Sequence, residues 1–168
     1  MKVVGMLLLV LAGGGIGWLR AASLRRRAAS LESARRLVLW LTARLRYTAE
    51  PVGALLRQAA ACEEFRSLPW LGAVCESPDG APFAATWARE VDKFARACSF
   101  TESDVALLHE FGEGFGKTDL TGQQAHGELY AALFEERQRQ AEEAVRDRGR
   151  MECVLWTSGS LLTALLLL

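Results

Sequence analysis

The sequence predicts an all-α protein, an antiparallel helical bundle flanked by an N-terminal and a C-terminal transmembrane helix. Apolar residues recur at steps of three and four through the interior, β-branched residues are sparse, and period-two alternation is absent. Residues 3–19 and 153–168 are apolar and carry no ionisable side chain except the Cys153 thiol. A spanning helix needs roughly 20 apolar residues and tolerates about 17. Both segments are therefore short but plausible spans.

Arginines beside the inner ends of the two apolar segments orient the chain. They are Arg20, Arg25, Arg26, Arg27, Arg35 and Arg36 after the first segment, and Arg146, Arg148 and Arg150 before the last. Positive residues close to a spanning helix stay on the cytoplasmic side. We therefore expect a transmembrane helix at 1–20, a cytoplasmic bundle at 21–152 and a transmembrane helix at 153–168. A cleaved signal peptide at the N-terminus is the alternative.

A basic collar is predicted next to the first span, formed by Arg20, Arg25, Arg26 and Arg27. From Arg20 to Arg46 the chain has eight Arg against the single acidic residue Glu32. Such a collar attracts anionic lipid by about 1 kcal/mol per charge near the surface. Nucleic acid is the competing partner, but the position beside a span and the lack of interleaved aromatic residues argue against it.

Helices follow one another through the interior. The segment from Ser30 to Tyr47 has one apolar face, and it can run on from the first span without a break. Pro51 ends it and suits the first turn of the next helix. Loops are predicted at 67–69 and 76–82, with Pro82 starting another helix. The apolar stripe of that helix is Phe83, Trp87, Val91, Phe94 and Cys98.

The last two helices are predicted from their start signals. Thr101 with Asp104 three residues later indicates a capping box, and Thr118 or Asp119 can cap the final helix, which can continue into the C-terminal span. We expect the aromatic residues Trp40, Trp70, Trp87 and Phe94 in the core, and Trp18 and Trp156 at the membrane interface. The inward face of the final helix is predicted to comprise Leu129, Leu133, Ala141, Ala144 and Val145.

No residue pattern indicates catalysis. The cysteines Cys62, Cys75, Cys98 and Cys153 form no C-x-x-C pair and have no zinc-site spacing. No nucleophile stands beside a credible base, and the paired glutamates are adjacent in sequence, so they diverge by about 100° on a helix. We therefore predict no enzyme, no metal and no cofactor.

The run GEGFGKT at 112–118 suggests a phosphate-binding loop as an alternative function. A P-loop has the pattern G-x-x-x-x-G-K-[ST] and follows a strand. Here the run is one residue short and follows a predicted helix. A tight turn between two helices is the simpler interpretation.

The run Phe111, Gly112, Phe115, Gly116, Asp119, Gln123 resembles the F-G-x-x-[LF]-G-x-x-D-x-x-x-Q signature of the stage III sporulation protein AB family. Tyr47 with Pro51 and Val52 resembles the Tyr-x-x-x-Pro-Leu step of that family, and the spans at both ends match in kind and position. Two departures are visible. Val52 replaces Leu, and Arg44 stands where an acidic residue is expected, so a polar contact of that acid with a partner would be altered here.

The resemblance implies a protein of an endospore-forming bacterium, made in the mother cell and required during engulfment. It implies likeness to the cytoplasmic helical domain of the inner-membrane platform proteins of type II secretion and type IV pilus systems. It further implies a place in the mother-cell membrane around the forespore, in a secretion-like channel with a secretion-type ATPase.

From this resemblance and the two predicted spans, which enter the membrane from the same side, we hypothesise a non-catalytic membrane scaffold. Its cytoplasmic bundle docks that ATPase, its spans contact other channel subunits, and the scaffold can also form a homo-oligomer. The predicted docking or structural motif runs from Phe111 to Gln123, and Asp119 is expected to cap the final helix. Tyr47 and Pro51 form the predicted helix-turn motif. A membrane-tethered helical adaptor unrelated to sporulation is the alternative.

Overall fold

The computed structural model describes the backbone of residues 2–47, 50–76 and 82–166, and the side chains of residues 15, 17–47, 50–76 and 82–147. All regular structure within these residues is helical. The helices are α1 (Lys2–Tyr47), α2 (Val52–Ala61), α3 (Pro69–Cys75), α4 (Phe83–Cys98), α5 (Glu102–Gly114) and α6 (Leu120–Leu166), with a 3-10 turn at Glu63–Phe65. The predicted all-α class is confirmed.

The first and last helices are much longer than the others. Helix α1 has 46 residues and α6 has 47. Each runs without a break from the interior of the chain into an apolar end, as the sequence predicts. Contacts group the chain into two compact units, one of Arg27–Arg139 and one that joins Met1–Arg26 to Gln140–Leu168.

The two predicted spans fall almost wholly outside the described side chains. Among the residues that the structure describes, no helix is both long and apolar enough to cross a membrane. In the predicted spans, the described side chains are confined to residues 15 and 17–20, and Trp18 among them is 68% exposed. Trp156 lies outside the described side chains.

The core of the unit Arg27–Arg139 is built from the predicted apolar stripes and two tryptophans. Trp70 and Trp87 are fully buried and meet edge to face, with ring centroids 4.6 Å apart. Trp40 and Phe94 are half-buried, and Trp40 packs edge-on against Phe65. The other fully buried large side chains include Leu31, Leu37, Leu41, Leu55, Leu68, Leu71, Leu108, Phe111 and Phe134.

Local signals set most helix ends. The capping box at the start of α5 is present, since Thr101 accepts from the Asp104 N–H and the Asp104 carboxylate accepts from the Thr101 N–H. Pro51 lies one residue before α2, at its N-cap position, and not in its first turn as predicted. Helix α3 and the 3-10 turn before it are not predicted, because seven and three residues are too few to show a helical period.

The end of α4 requires a left-handed residue. Ser99 has φ 58°, its N–H donates to Arg96, and the N–H of Phe100 donates to Ala95. This is the Schellman arrangement, in which glycine is the usual residue at the left-handed position. Ser99 therefore adopts a conformation that costs an L-residue about 1–2 kcal/mol.

The predicted inward face of α6 is wrong at its first two positions. Leu129 and Leu133 are 56% and 40% exposed. Ala144 and Val145 are half-buried, and Ala141 is buried as predicted. The buried residues of α6 ahead of Ala141 are Gln123, Gly127, Ala131 and Phe134.

A close helix contact explains this rotation of α6. A Cβ at Gly127 would stand 1.9 Å from the Thr42 hydroxyl on α1. Only a residue without a side chain allows this approach, so α6 turns its glycine inward and leaves the two leucines outside.

Candidate functional site

The six motif residues from Phe111 to Gln123 come together around one turn, the motif turn, which joins α5 to α6 at residues 115–119. Phe111 and Gly112 belong to the last part of α5, and Gln123 belongs to the first part of α6. Phe111, Gly112, Phe115 and Gln123 are buried, whereas Gly116 and Asp119 are exposed. The motif therefore has a buried frame and an exposed rim.

Gly112 sits against the ring of Trp87. A Cβ at this position would stand 2.3 Å from Cδ1 of Trp87. The indole is itself fixed, because its Nε1–H donates to the Leu108 carbonyl over 2.7 Å. Glycine at 112 thus lets the backbone of α5 lie directly on α4.

An aromatic cluster carries the buried side of the motif. The ring of Phe111 lies 5.8 Å from Trp87, 5.2 Å from Phe115 and 5.5 Å from His126, centroid to centroid. The His126 ring is stacked on Phe111, and its Nε2 lies 3.0 Å from the Phe111 carbonyl. Since a carbonyl only accepts, this contact requires the proton on Nε2.

The side chain of Gln123 holds the motif turn together through three hydrogen bonds. Its Oε1 accepts from the Gly116 N–H over 3.0 Å, and its Nε2 donates to the Gly114 carbonyl over 3.1 Å and to the Thr118 hydroxyl over 2.9 Å. The chain can turn here because Gly116 has φ 82°. With these three bonds, both polar ends of the buried Gln123 side-chain amide are satisfied.

Asp119 caps α6. Its Oδ1 accepts from the Gly122 N–H over 2.9 Å, which is the bond an N-cap residue makes to the third residue of a helix. This agrees with the capping expected of Asp119. Thr118, the alternative cap in the sequence, instead accepts a hydrogen bond from Gln123.

Three amides of the motif turn are used within the protein. The N–H groups of Phe115, Gly116 and Lys117 donate to the Phe111 carbonyl, the Gln123 side chain and the Gly114 carbonyl. A P-loop needs such amides for phosphate oxygens, and it follows a strand, whereas this turn follows α5. The geometry therefore favours a structural turn over a phosphate loop.

The start of α2 lies close to the motif turn, a proximity that their separation in sequence does not reveal. A Cβ at Gly116 would be 3.3 Å from Cγ2 of Val52, the residue after Pro51. Tyr47, the last residue of α1, is 77% exposed, and the Arg46 guanidinium lies 5.5 Å from its ring centroid.

Three members of the predicted basic collar, Arg20, Arg25 and Arg26, are exposed. Arg27 differs, which corrects its assignment to a lipid-facing collar. Its guanidinium donates to both Asp104 carboxylate oxygens, over 2.7 and 3.0 Å, and its side chain is only 15% exposed. Asp104 is buried at the start of α5, so Arg27 joins α1 to α5.

The pKa of Asp104 results from opposing effects. Burial by itself raises the pKa of this carboxyl. Hydrogen bonds from Arg27 and from the backbone and hydroxyl of Thr101, with the Arg27 charge, outweigh burial and hold the pKa below its usual range. Asp104 is thus ionised at neutral pH, and the pair is a charged link.

No metal centre is found in the part of the chain that the structure describes, where no three His, Cys, Asp or Glu side chains come together in a suitable cluster. Cys62 and Cys75 are half-buried free thiols, and Cys98 is buried.

These features define an all-helical protein whose motif closes the junction of two helices. The chain belongs to the stage III sporulation protein AB family, whose sequence model matches residues 2–168. The family resemblance drawn from the motif residues is thereby confirmed. No curated protein and no solved structure matches the chain.

Proposed function

We propose that this protein is a non-catalytic membrane scaffold of a secretion-like sporulation channel between mother cell and forespore. Its bundle docks a cytoplasmic secretion-type ATPase, and its apolar ends anchor it in the mother-cell membrane around the forespore and contact other channel subunits. Membership of the sporulation family over residues 2–168 supports the cellular setting.

Membrane anchoring is supported by the sequence and by the grouping of the chain ends. Residues 3–19 and 153–168 are apolar, and Arg residues follow the first segment and precede the second. The two ends fall in one compact unit. Two spans entering from the same side would place the unit Arg27–Arg139 in the cytoplasm.

The observation that carries the docking role is the Gln123-braced motif turn. Three hydrogen bonds from one buried amide fix its shape, yet Gly116, Lys117, Thr118 and Asp119 at its rim are exposed. A preorganised exposed loop binds a partner with little loss of conformational freedom. A rigid turn on a helical frame therefore suits docking.

The test uses the full chain in lipid nanodiscs and the purified secretion-type ATPase of the same organism. We expect saturable binding of the ATPase to nanodiscs that contain the full chain and none to empty nanodiscs.

A matched pair of variants tests whether the contact is at the motif turn. Thr118→Arg adds a large charged side chain to the exposed rim but also removes the hydroxyl that accepts from Gln123, so its thermal unfolding is measured beside its binding. Ser103→Arg adds the same side chain at an exposed position of α5. Binding lost equally in both variants, or absent for the wild type, contradicts the proposal.

Topology is tested separately with Ser103→Cys in a chain whose native cysteines are replaced by serine. A membrane-impermeant maleimide should label this position in inverted vesicles and spare it in intact cells. Labelling from outside the cell would contradict the cytoplasmic placement.

A further inference from the structure

A cleft opens beside the motif turn, between the end of α5 and the start of α6. Its volume is about 510 Å³. Glu110, Glu113 and Gly114 line it from α5, and Gly122, His126 and Tyr130 line it from α6. Lys117 and Thr118 of the motif turn complete the wall.

Among the described residues, no basic side chain forms an ion pair with the carboxylates of the cleft. Glu110 accepts a long hydrogen bond of 3.4 Å from the Tyr130 hydroxyl, and within the described residues Glu113 makes neither a hydrogen bond nor an ion pair. Other glutamates of this unit are paired, as Glu135 is with Arg35 and Glu64 with Arg36. Since Glu110 and Glu113 are three residues apart in α5, they lie on one face of the helix.

The two carboxylates act electrostatically on Tyr130, an aromatic residue in the lining of the cleft. The pKa of Tyr130 is raised, first by burial and then by the charge and hydrogen bond of Glu110 and the charge of Glu113. The ring of Tyr130 packs on His126 with centroids 4.5 Å apart, and on Phe111 at 5.8 Å. The cleft thus combines negative charge with aromatic surface in a fixed frame.

We infer that this cleft receives an arginine side chain of the cytoplasmic partner. Two carboxylates outnumber the one ammonium of Lys117, so the lining favours a cation. A guanidinium is matched better than an ammonium, because its plane stacks on an aromatic ring while its N–H groups donate to carboxylates. The inference rests on the proposed function for the identity of the partner and on the geometry for its chemistry.

Lys117 provides a test in the opposite direction. Its charge opposes an incoming guanidinium, so Lys117→Gln should tighten binding, while Glu110→Gln with Glu113→Gln should weaken it. A phosphate-binding site would respond in the reverse sense to each change. Glu102→Gln is the matched control, because Glu102 is an exposed carboxylate on the same helix outside the cleft.

The probe is the peptide acetyl-Gly-Arg-Gly-Arg-Gly-amide, with citrulline in place of arginine as its neutral counterpart. Binding to the full chain in detergent micelles is followed by the ring signals of Tyr130 and His126 in carbon-13 NMR spectra. We expect saturable shifts with arginine and none with citrulline. The double glutamine variant should bind at least about fivefold more weakly, Lys117→Gln at least about twofold more tightly, and Glu102→Gln unchanged.

Several results would overturn the inference. These are equal shifts with citrulline, a loss in Glu102→Gln as large as in the double variant, or tighter binding of the double variant. Loss of self-association in the double variant, with the ATPase still bound, would make a second copy the occupant and overturn it too. If the peptide binds as expected and the ATPase does not bind the wild type, the cleft chemistry stands and the proposed function fails. If the ATPase binds wild type and double variant alike, the proposed function stands and the arginine cleft fails.

Discussion

The indole ring of Trp87 occupies the space in front of the Cα of Gly112. A Cβ at that position would lie 2.3 Å from Cδ1 and 2.6 Å from Nε1 of the ring. The ring has no room to retreat, since it is fully buried and its Nε1–H is bonded to Leu108. The crossing of α4 and α5 therefore depends on a missing side chain.

Gly112→Ala should destabilise the bundle by about 1–3 kcal/mol, the usual cost of adding a methyl group to a packed core. Gly72→Ala is the control, because no atom of the described residues outside its own helix lies within 4 Å of a Cβ there. Alanine in a helix should leave stability unchanged or raise it by up to about 1 kcal/mol. Thermal unfolding of the full chain in detergent, followed by circular dichroism, measures both. Equal melting of the two variants would contradict the packing argument.

Asp104→Asn should destabilise the protein by about 3 kcal/mol at neutral pH, because it leaves the largely buried Arg27 guanidinium without a counter-charge. Asparagine retains an oxygen for the Thr101 N–H, so the loss reports mainly on the ion pair. Replacing Arg27 by Met in the same chain should recover part of it. Glu135→Gln, which breaks the exposed pair with Arg35, should cost less than about 1 kcal/mol. Urea unfolding gives the three values, and equal losses in the two single variants would contradict a special role for Asp104.

The same pair predicts a pH dependence. The folded pKa of Asp104 lies below its unfolded value of about 3.9. Its contribution to stability is therefore fully present above that value and is lost as the pH falls through the folded pKa. The difference in unfolding free energy between wild type and Asp104→Asn should be constant from about pH 7 to 5 and shrink below about 4. A difference that grows on acidification would reverse the sign and refute the assignment.

Asp119→Ala should lower stability by about 1 kcal/mol, because the Gly122 N–H loses its acceptor at the start of α6. Asp119→Asn keeps an acceptor oxygen and should melt close to the wild type.

The two variants also separate structure from docking. ATPase binding that falls in both points to the charge, whereas a fall in alanine alone points to the cap. If Asp119→Ala changes neither melting nor complex formation, the capping role is wrong.

Ser99→Gly should stabilise the protein by about 0.5–1 kcal/mol. The substitution removes the left-handed strain at φ 58°, and the greater freedom of glycine in the unfolded chain offsets part of the gain. Ser103→Gly, inside α5, should cost up to about 1 kcal/mol. Chemical unfolding of both variants would show opposite signs, and a loss in each would refute the strain at Ser99.

Much of this fold could be predicted because its signals are local. Residues a few positions apart determine the apolar stripe of α4, the capping box at Thr101 and the start of α4 after Pro82. Periodicity and cap chemistry therefore locate these features. The link between Arg27 and Asp104 could not be found in this way. Nothing near Arg27 distinguishes it from Arg25 or Arg26, and its partner is 77 residues away.

The hydrophobic pattern mispredicts the inward face of α6 for a related reason. Leucine is more apolar than glycine, so a hydrophobic pattern places Leu129 and Leu133 inside. The close approach of α6 to α1 instead places Gly127 inside, since Gly127 meets Thr42 where no side chain fits. A glycine inside a helix was the available signal.

The candidate site was predicted in part. Its residues follow from the motif, and Asp119 follows from capping chemistry. The bracing by Gln123 and the acidic cleft depend on how the end of α5 faces the start of α6, which no spacing reveals.

The hydrogen bonds of the Gln123 side chain restrict position 123 to glutamine. The side chain must accept a hydrogen bond at one end and donate hydrogen bonds at the other, at the reach of a two-methylene stem. Glutamate offers no donor at neutral pH, asparagine is one carbon too short, and a rotated amide would aim its donors at the Gly116 N–H. The shape of the motif turn is consequently tied to the first part of α6, because a single side chain of that helix supplies the three bonds that hold the turn.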